Sequence, residues 1–433
     1  MNVLLFGSGG RESALAWKIS KSQLLKKLYV APGNPGVMKY GDQIDLNWKD
    51  FDKVGEFCIK FSIDMVIVGP EDPLVKGLAD YFSESKALSE IYFIGPKKKG
   101  ACLEGSKDFS KKFMQRHIIP TADYKTFRKD QLSEAIEYLN EIHKPYVLKA
   151  DGLAGGKGVV IHDDLNLAKE ELKEMLLDEK FGKASTKVVV EEFLEGIEFS
   201  IFVLTDGNGY LLLPEAKDYK RIGEGDKGLN TGGMGAVSPV PFISESILNE
   251  VKYKIIEPTI LGLSKDKIEY VGFIFFGLIH TQKGVKVIEY NCRMGDPETE
   301  AVLPRIDEDL LEVLKETAEK RIITRPLKVK EETAITVMKV SKGYPGEYTK
   351  GIVIKEIDKQ NQKDTIVFQA GTKLMENKIV TDGGRVFCVT GLHKEPSVAR
   401  DKAYDFLRSI EFEGEYYRAD IGKDLGIKSK SLA

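Results

Sequence analysis

Four short apolar runs, each closed by glycine or proline, constrain the first part of this chain most tightly. They are Val3-Leu4-Leu5-Phe6, Leu28-Tyr29-Val30, Met65-Val66-Ile67-Val68 and Ile91-Tyr92-Phe93-Ile94. Helical spacing fills the gaps, with Leu15, Ile19 and Leu24-Leu25 in one and Phe51, Val54, Cys58 and Phe61 in another. Continuous apolar strands alternating with helices predict a parallel, doubly wound sheet covered on both faces. Such sheets bind ligands at the C-terminal ends of their strands. The loops Gly7-Ser8-Gly9-Gly10, Ala31-Pro32-Gly33-Asn34-Pro35-Gly36 and Gly69-Pro70-Glu71 lie at that edge.

The chain has 433 residues, enough for about three domains at ~150 residues each. A second α/β region begins near Glu104. Tyr146-Val147-Leu148-Lys149 reads as a strand, followed by a glycine-rich loop and the return strand Val159-Val160-Ile161. Leu165 to Leu177 reads as a helix and Lys187 to Glu191 as a strand. Longer strands follow from Glu198 to Asn291, then a helix from Asp309 to Arg321. Thr324-Arg325-Pro326 marks a boundary. The remainder is strand-rich, with a helix from about Ser397 to Ser409. The expected domains are 1–103, 104–325 and 326–433.

Net charge is -3, with no basic excess to suit nucleic acid or an anionic membrane. No apolar stretch approaches the ~20 residues of a membrane span. Met1 to Phe6 runs straight into a glycine loop, unlike a signal peptide. The four cysteines form no CxxC pair and the five histidines do not cluster with them. A disulfide framework or zinc site is therefore not expected, and a reducing cytoplasm fits.

Val287-Ile288-Glu289-Tyr290-Asn291-Cys292-Arg293 reads as a strand with a carboxylate, an amide oxygen and a guanidinium on alternate residues. Alternate residues share a face. Glu289 and Asn291 offer two hard oxygens, which suits Mg²⁺. Arg293 beside them can grip phosphate in its planar fork. Cys292 points to the opposite face. A half-buried strand with polar solvent-side residues is the plain alternative.

Gly7 to Glu12 follows a strand and opens a helix, so bare backbone N–H groups can approach a phosphate. A dinucleotide site would also want an acidic residue ending the second strand. That strand ends in Ala31-Pro32-Gly33, so a small phosphorylated substrate is favoured over NAD. The loop Asp151 to Gly158 lacks a P-loop pattern but carries glycines and Lys157 between two strands. It suits a mobile flap over a polyphosphate, with Lys149 reaching the α- or β-phosphate. Between two strands, Phe193 and Leu194 could flank a nucleotide base, with backbone groups reading its edge and Glu198 accepting ribose hydroxyls. Asp218, Lys220 and Arg221 open a long glycine-rich loop that runs to Gly235, and a loop of that length is usually functional or disordered. Charged groups follow the metal strand from Arg293 through Asp296 to Glu300.

Together these segments resemble the ATP-grasp superfamily, and within it the phosphoribosylamine–glycine ligase family, also called glycinamide ribonucleotide synthetases. The resemblance runs from Gly7 to about Gly422. It rests on GSGGRE (Gly7–Glu12), APGNPG (Ala31–Gly36), VGPEDPL (Val68–Leu74), LEGSK (Leu103–Lys107), KADGLAGGKGV (Lys149–Val159), NTGGMGA (Asn230–Ala236), NCRMGDPE (Asn291–Glu298) and GYPG (Gly343–Gly346). The resemblance implies an N-terminal substrate domain, a lid at approximately 122–192, an ATP-grasp core and a small C-terminal domain. It matches Glu289 and Asn291 to the Mg²⁺ (or Mn²⁺) ligands. Lys107, Lys149 and Lys157 match the ATP phosphate region, and Glu191, Leu194 and Glu198 the base and ribose contacts, with Phe193 beside them. The expected substrate contacts are Gly9, Gly10, Arg11, Glu12, Gly33, Asn34, Glu71, Asp218, Lys220, Arg221, Gly233, Asp296 and Pro297. Arg293, Lys149 and Asp296 are the expected catalytic residues.

The pattern departs from the family at Ser13 (usually His), Leu229 (Pro), Met294 (Phe), Glu300 (Gln) and Gln369 (His). None of these removes a proposed metal or phosphate ligand. The implied reaction joins glycine to 5-phosphoribosylamine with ATP through glycyl phosphate, in a cytoplasmic monomer, with a dimer left open. A chain ending soon after the ligase pattern is expected to be monofunctional. The alternatives are another ATP-grasp enzyme acting on a carboxylate, separable by testing glycine against bicarbonate, and a nucleotide-binding protein that forms no ADP. A dehydrogenase is opposed by the missing ribose carboxylate.

Overall fold

A computed structural model describes residues 1–154, 158–178, 180–357 and 364–427. The N-terminal strands are β1 (Asn2–Gly7), β2 (Lys27–Pro32), β3 (Asp42–Gln43), β4 (Met65–Val68) and β5 (Tyr92–Ile94). They form one parallel sheet in the order β3-β2-β1-β4-β5. Val3, Leu4, Leu5 and Phe6 are wholly buried, as a strand covered on both faces requires. The extra strand, β3, is two exposed residues long and leaves no apolar signal. The chain order reverses between β1 and β4, so the ligand crevice of this sheet opens beside their C-terminal ends. Helix α1 (Gly10–Ile19) starts there.

A second sheet is antiparallel and self-contained. Its strands are Tyr124–Arg128, Lys187–Glu192, Tyr146–Ala150 and Val159–His162, in that spatial order. The helices Leu132–Glu141 and Leu165–Leu177 share a separate apolar cluster with it, including Leu139, Leu148, Leu172, Met175, Val188 and Val190. The central sheet places Gly284–Asn291 at one edge, then Gly272–Thr281, Ile197–Thr205, Tyr210–Leu212 and Arg325–Pro326. In contrast to the second sheet, the first and central sheets share one continuous core. Val3, Leu5 and Ile67 belong to the same cluster as Phe202, Phe275 and Met338.

The C-terminal sheet draws on two distant parts of the chain. Lys217–Asp218 and Gly235–Ser238 pair into a sheet completed by Thr333–Ser341, Arg385–His393 and Thr365–Gln369. Its packing therefore fixes both ends of the glycine-rich loop that begins at Asp218. Between them, Arg221–Gly223 and Lys227–Asn230 form a hairpin. Arg418 clasps it, donating to Arg221 O at 3.0 Å and pairing with Asp226 at 3.3 Å. The long loop is thus an anchored hairpin.

Candidate active site

One extra residue aims the expected metal pair. Gly277 pairs with Glu289 and Leu278 with Val287, so Ile288 is a bulge. Val285, Val287 and Tyr290 are buried, while Glu289 and Asn291 are only partly so. Unbroken alternation would turn Glu289 inward after Val287. The bulge reverses the phase, as bulges do beside binding sites. A Cβ on Gly277 would lie 3.1 Å from Glu289 Cγ, so glycine makes room for the carboxylate. Asn291 Nδ2 donates to Tyr290 O at 2.9 Å, leaving Oδ1 with one long contact, 3.5 Å from Arg293 Nη1. Two under-used oxygens on one face fit Mg²⁺, which takes few protein ligands. Among the described residues, no three His, Cys, Asp or Glu side chains form a fuller cage.

Arg293 follows the end of that strand, with Nη1 still within 3.5 Å of Asn291 Oδ1. The strand ends at Asn291, and Arg293 enters a turn where two carboxylates capture it. Its Nη2 donates to Glu104 at 2.6 Å and its Nε to Glu71 at 3.3 Å. Burial opposes its charge, but Glu104 and Glu71 outweigh this and hold it firmly protonated. Cys292 is buried, with its N–H and thiol on the same Glu104 carboxylate that takes Arg293.

Beside the metal face lies a group of lysines. Lys149 and Lys111 both reach Glu191 Oε2, at 2.9 and 3.0 Å. All three side chains are almost fully buried. Burial opposes ionisation of Glu191, yet Lys149 and Lys111 hold its carboxyl below the usual range. Burial, with Lys149 adding, pushes Lys111 down to about 8 against the pull of Glu191. Lys107 is likewise lowered by burial, with Glu289 resisting. Three buried or nearly buried lysines thus gather around the single carboxylate of Glu191, with Glu289 close by, and burial disfavours their charge. Asp151 fixes its geometry. Its carboxylate accepts from Ser106 Oγ (2.9 Å) and Asp108 N (2.7 Å), tying the start of the glycine loop to the turn carrying Lys107. Lys157 lies outside the described residues.

Residues 193–196 connect two strands, and Phe193 leaves 42% of its surface open there. Glu198 pairs with Lys220 at 2.5 Å, each keeping over two fifths of its side chain exposed. Lys220 draws Glu198 down, and Lys220 is itself raised by Asp218, Glu198 and Glu289 against burial. Asp218 and the buried Glu298 feel one another, and burial lifts both, Glu298 to about 8. Arg221 donates within its own hairpin to Gly228 O at 2.9 Å.

At the β1–β4 crevice the polar groups are mostly engaged by one another. Glu12 accepts from Gly9 N at 2.6 Å and pairs with Arg11 Nε at 2.6 Å. Arg11 Nη1 also donates to Met294 O at 3.2 Å. Gly33 N donates to Gly7 O at 3.0 Å. Asn34, 1% exposed, donates to Ser8 O, Ser13 Oγ and Gln369 O, so its amide organises the loops. Asp296 Oδ2 lies 3.4 Å from Arg11 N at the start of α1. Its other oxygen is 3.0 Å from Arg385. Burial works against the Asp296 charge, but Arg385 and Arg11 keep its carboxyl low. Gly233, at φ +118°, must be glycine. A Cβ there would fall 2.4 Å from Pro297 Cδ.

Three contributors went unread in the sequence: Lys111, Glu104 and Arg385. Arg385 Nη1 donates to Gly232 O (2.7 Å) and Asp296 O (2.8 Å), joining the NTGG and GDPE segments. Tyr344 of the GYPG segment accepts from Gly232 N at 2.8 Å. Each is an isolated side chain whose partners are distant in sequence, so only the glycine-rich text of their partners hinted at a meeting point.

Comparison with known proteins accounts for nearly the whole chain. Residues 1–104 match the phosphoribosylglycinamide synthetase N domain, 105–299 its ATP-grasp (A) domain and 334–424 its C domain. A phosphoribosylamine–glycine ligase of Caldanaerobacter subterraneus subsp. tengcongensis is 43% identical over 97% of this chain and 99% of its own length. Another, of Clostridium acetobutylicum, is 43% identical over 98% of this chain and all of its own. The crystal structure of a phosphoribosylamine–glycine ligase from Thermotoga maritima superposes with a TM-score of 0.84 at 31% identity, covering 97% of this chain and 100% of that one. The biotin carboxylase domain of the Hydrogenobacter thermophilus 2-oxoglutarate carboxylase shares the fold alone, with a TM-score of 0.72 at 18% identity over 96% of this chain and 91% of its own.

Proposed function

The chain belongs to the phosphoribosylglycinamide synthetase family, and we propose from that premise that it joins glycine to 5-phospho-D-ribosylamine in purine biosynthesis. ATP is converted to ADP and phosphate, and the product is N1-(5-phosphoribosyl)glycinamide. The observation that carries this reading is the pairing of two sites. A buried lysine group around Glu191 lies beside two under-used oxygens, and Arg293, next to those oxygens, also pairs with Glu71 at the glycine-rich crevice.

A carboxylate oxygen is a poor leaving group, and the chemistry follows from that. Transfer of the γ-phosphoryl group to glycine gives glycyl phosphate, with a new O–P bond formed and the bond to ADP broken. The amine then attacks the carbonyl carbon, loses a proton and expels phosphate. Positioning and charge neutralisation suffice, without a covalent enzyme intermediate. Lys107, Lys149 and Lys157 receive the ATP phosphates. Phe193 and Leu194 flank the base, Glu198 takes the ribose, and Glu191, committed to its lysines, contributes backbone groups. Glu289 and Asn291 hold Mg²⁺ or Mn²⁺, which when bound offsets phosphate charge. The Gly9–Glu12 turn, with Gly33, Asn34, Glu71, Gly233 and Pro297, frames phosphoribosylamine. Asp218, Lys220 and Arg221 approach from the anchored hairpin loop. Asp296 accepts from the amine, while Arg293 and Lys149 face the transferring group.

We take 1–103, 104–325 and 326–433 as the functional divisions, with 122–192 as the lid, in a cytoplasmic monomer. No helix among the described residues is long and apolar enough to cross a membrane. The test is ADP release with Mg²⁺ and ATP. Turnover should require both glycine and freshly made phosphoribosylamine. Release driven by bicarbonate instead would point to a carboxylase, and ATP binding without ADP formation would exclude catalysis.

A further inference from the structure

Glu300 lies under the substrate crevice and is absent from the mechanism above. It is fully buried, and its Oε2 has no hydrogen-bond donor. It forms no ion pair among the described residues, although Arg385 lies close enough to be felt. Asp296, which holds the start of α1, lies close enough to raise its carboxyl, and Asp296 Oδ1 is likewise a buried oxygen without a hydrogen-bond donor. Glu300 also presses on the glycine turn itself. A Cβ on Gly10 would come within 2.2 Å of Glu300 Oε1, and one on Gly9 within 3.0 Å of Asp296 Oδ2.

Two ionised carboxylates cannot share a dry contact with so little cationic support. Asp296 has the cations, from Arg385 and Arg11. Resting on the assignment of this crevice to phosphoribosylamine, we propose that Glu300 keeps its proton, donates it in a hydrogen bond to Asp296, and so positions the Gly9–Arg11 turn for substrate. Glu300 is a positioning residue that acts through Asp296. The other charged or titratable groups facing the pair support this split. Arg385 and Cys388 approach from the strand Arg385–His393, with the Cys388 thiol 4.0 Å from Glu300 Oε1 and pushed well up by burial. From α1, Arg11 and Glu12 pair with one another. The segment at Ala370 brings no charge.

Burial and Asp296 both raise the Glu300 carboxyl well above its ordinary value. An acid raised in this way holds its proton at neutral pH. Its hydrogen bond is present at lower pH and lost as pH rises through the raised value. Two anions would then face each other beneath the turn.

Glu300→Gln and Glu300→Ala test this, because a glutamine amide donates at any pH. In wild type, KM for phosphoribosylamine should climb at alkaline pH while KM for ATP stays flat. Glu300→Gln should match wild type at neutral pH and lose the alkaline climb. Glu300→Ala should raise KM for phosphoribosylamine by about tenfold at neutral pH with kcat little changed. Independently of activity, wild type should show a carboxylic-acid carbonyl band in its infrared difference spectrum against Glu300→Gln. Identical pH profiles for wild type and Glu300→Gln, or absence of that band at neutral pH, would overturn the proposal. If phosphoribosylamine were not the substrate, the band would remain and only the kinetic arm would fail.

Discussion

Two polar clusters flank Arg293, and they are built with opposite imbalances. In one, Lys111 and Lys149 share Glu191 with Lys107 near them, and burial depresses Lys107 and Lys111. In the other, Asp296 and Glu300 crowd together with Arg385 and Arg11 as their cations, and Glu300 Oε2 has no donor. The first cluster gathers more lysines than carboxylates and is suited to receive phosphate charge. The second is short of protons or cations and suited to an amine and sugar hydroxyls. The difference teaches that the ligands of a site can be inferred from what its charges lack.

The comparison is most exposed at Glu289, which borders the cationic side. Glu289→Gln keeps the shape and removes one hard anionic ligand. ADP formation should fall by ~10³-fold or more, with unchanged circular dichroism, since a charge-stabilising group is worth that much. Near-wild-type turnover would remove Glu289 from the site.

Lys149→Ala should come next, lowering kcat by ~10²-fold and leaving Glu191 partly uncompensated. Steady-state kinetics with saturating glycine would check it. An equal loss in Glu191→Gln, which keeps both lysines, would mean that the ion pair rather than the lysine matters.

Gly9→Val addresses the other cluster. A side chain there meets Asp296 and Glu12 at about 3.0 Å. Calorimetry should find phosphoribosylamine binding weakened by ~10-fold or more while ATP binding is preserved, because a bare backbone approach is blocked. The reverse pattern would exchange the two clusters.

The smallest effect is on acid stability. Glu191 is held below the ordinary carboxylate range, so its ionised form stabilises the folded state above that range. Below about pH 4.3 the unfolded chain takes up its proton first, and stability falls. Thermal unfolding of Glu191→Gln without nucleotide should show a lower Tm at pH 7 and a shallower acid decline. Parallel curves would indicate that the pair contributes nothing net.

Much of this arrangement could be read from the chain. Apolar runs ending in glycine located β1, β2, β4 and β5, and Leu165–Leu177 was legible to the residue. The shared face of Glu289 and Asn291 was legible too, but the reason for it was not. A single inserted residue at Ile288 reverses the phase, and no residue type marks it. Arg293 stays beside Asn291, but the strand stops before it, and that Glu104 and Glu71 would take its guanidinium was not legible. Three departures from the family pattern also converge in space. Ser13 donates to the backbone carbonyl of Gln369, and both Glu300 and Ala370 lie against Gly10. Substitutions separated along the chain carry no sign that they meet in space. Contacts across sheets, such as those of Lys111 and Arg385, are set by folding topology rather than by local sequence.

The central claim is that the cationic cluster serves phosphoryl transfer to a carboxylate. Glycine labelled with ¹⁸O at both carboxylate oxygens tests it directly, in a single turnover with ATP and phosphoribosylamine. If glycyl phosphate forms, one labelled oxygen leaves with the phosphate, and mass spectrometry will find phosphate carrying one ¹⁸O. Unlabelled phosphate, with product formed, would contradict the account.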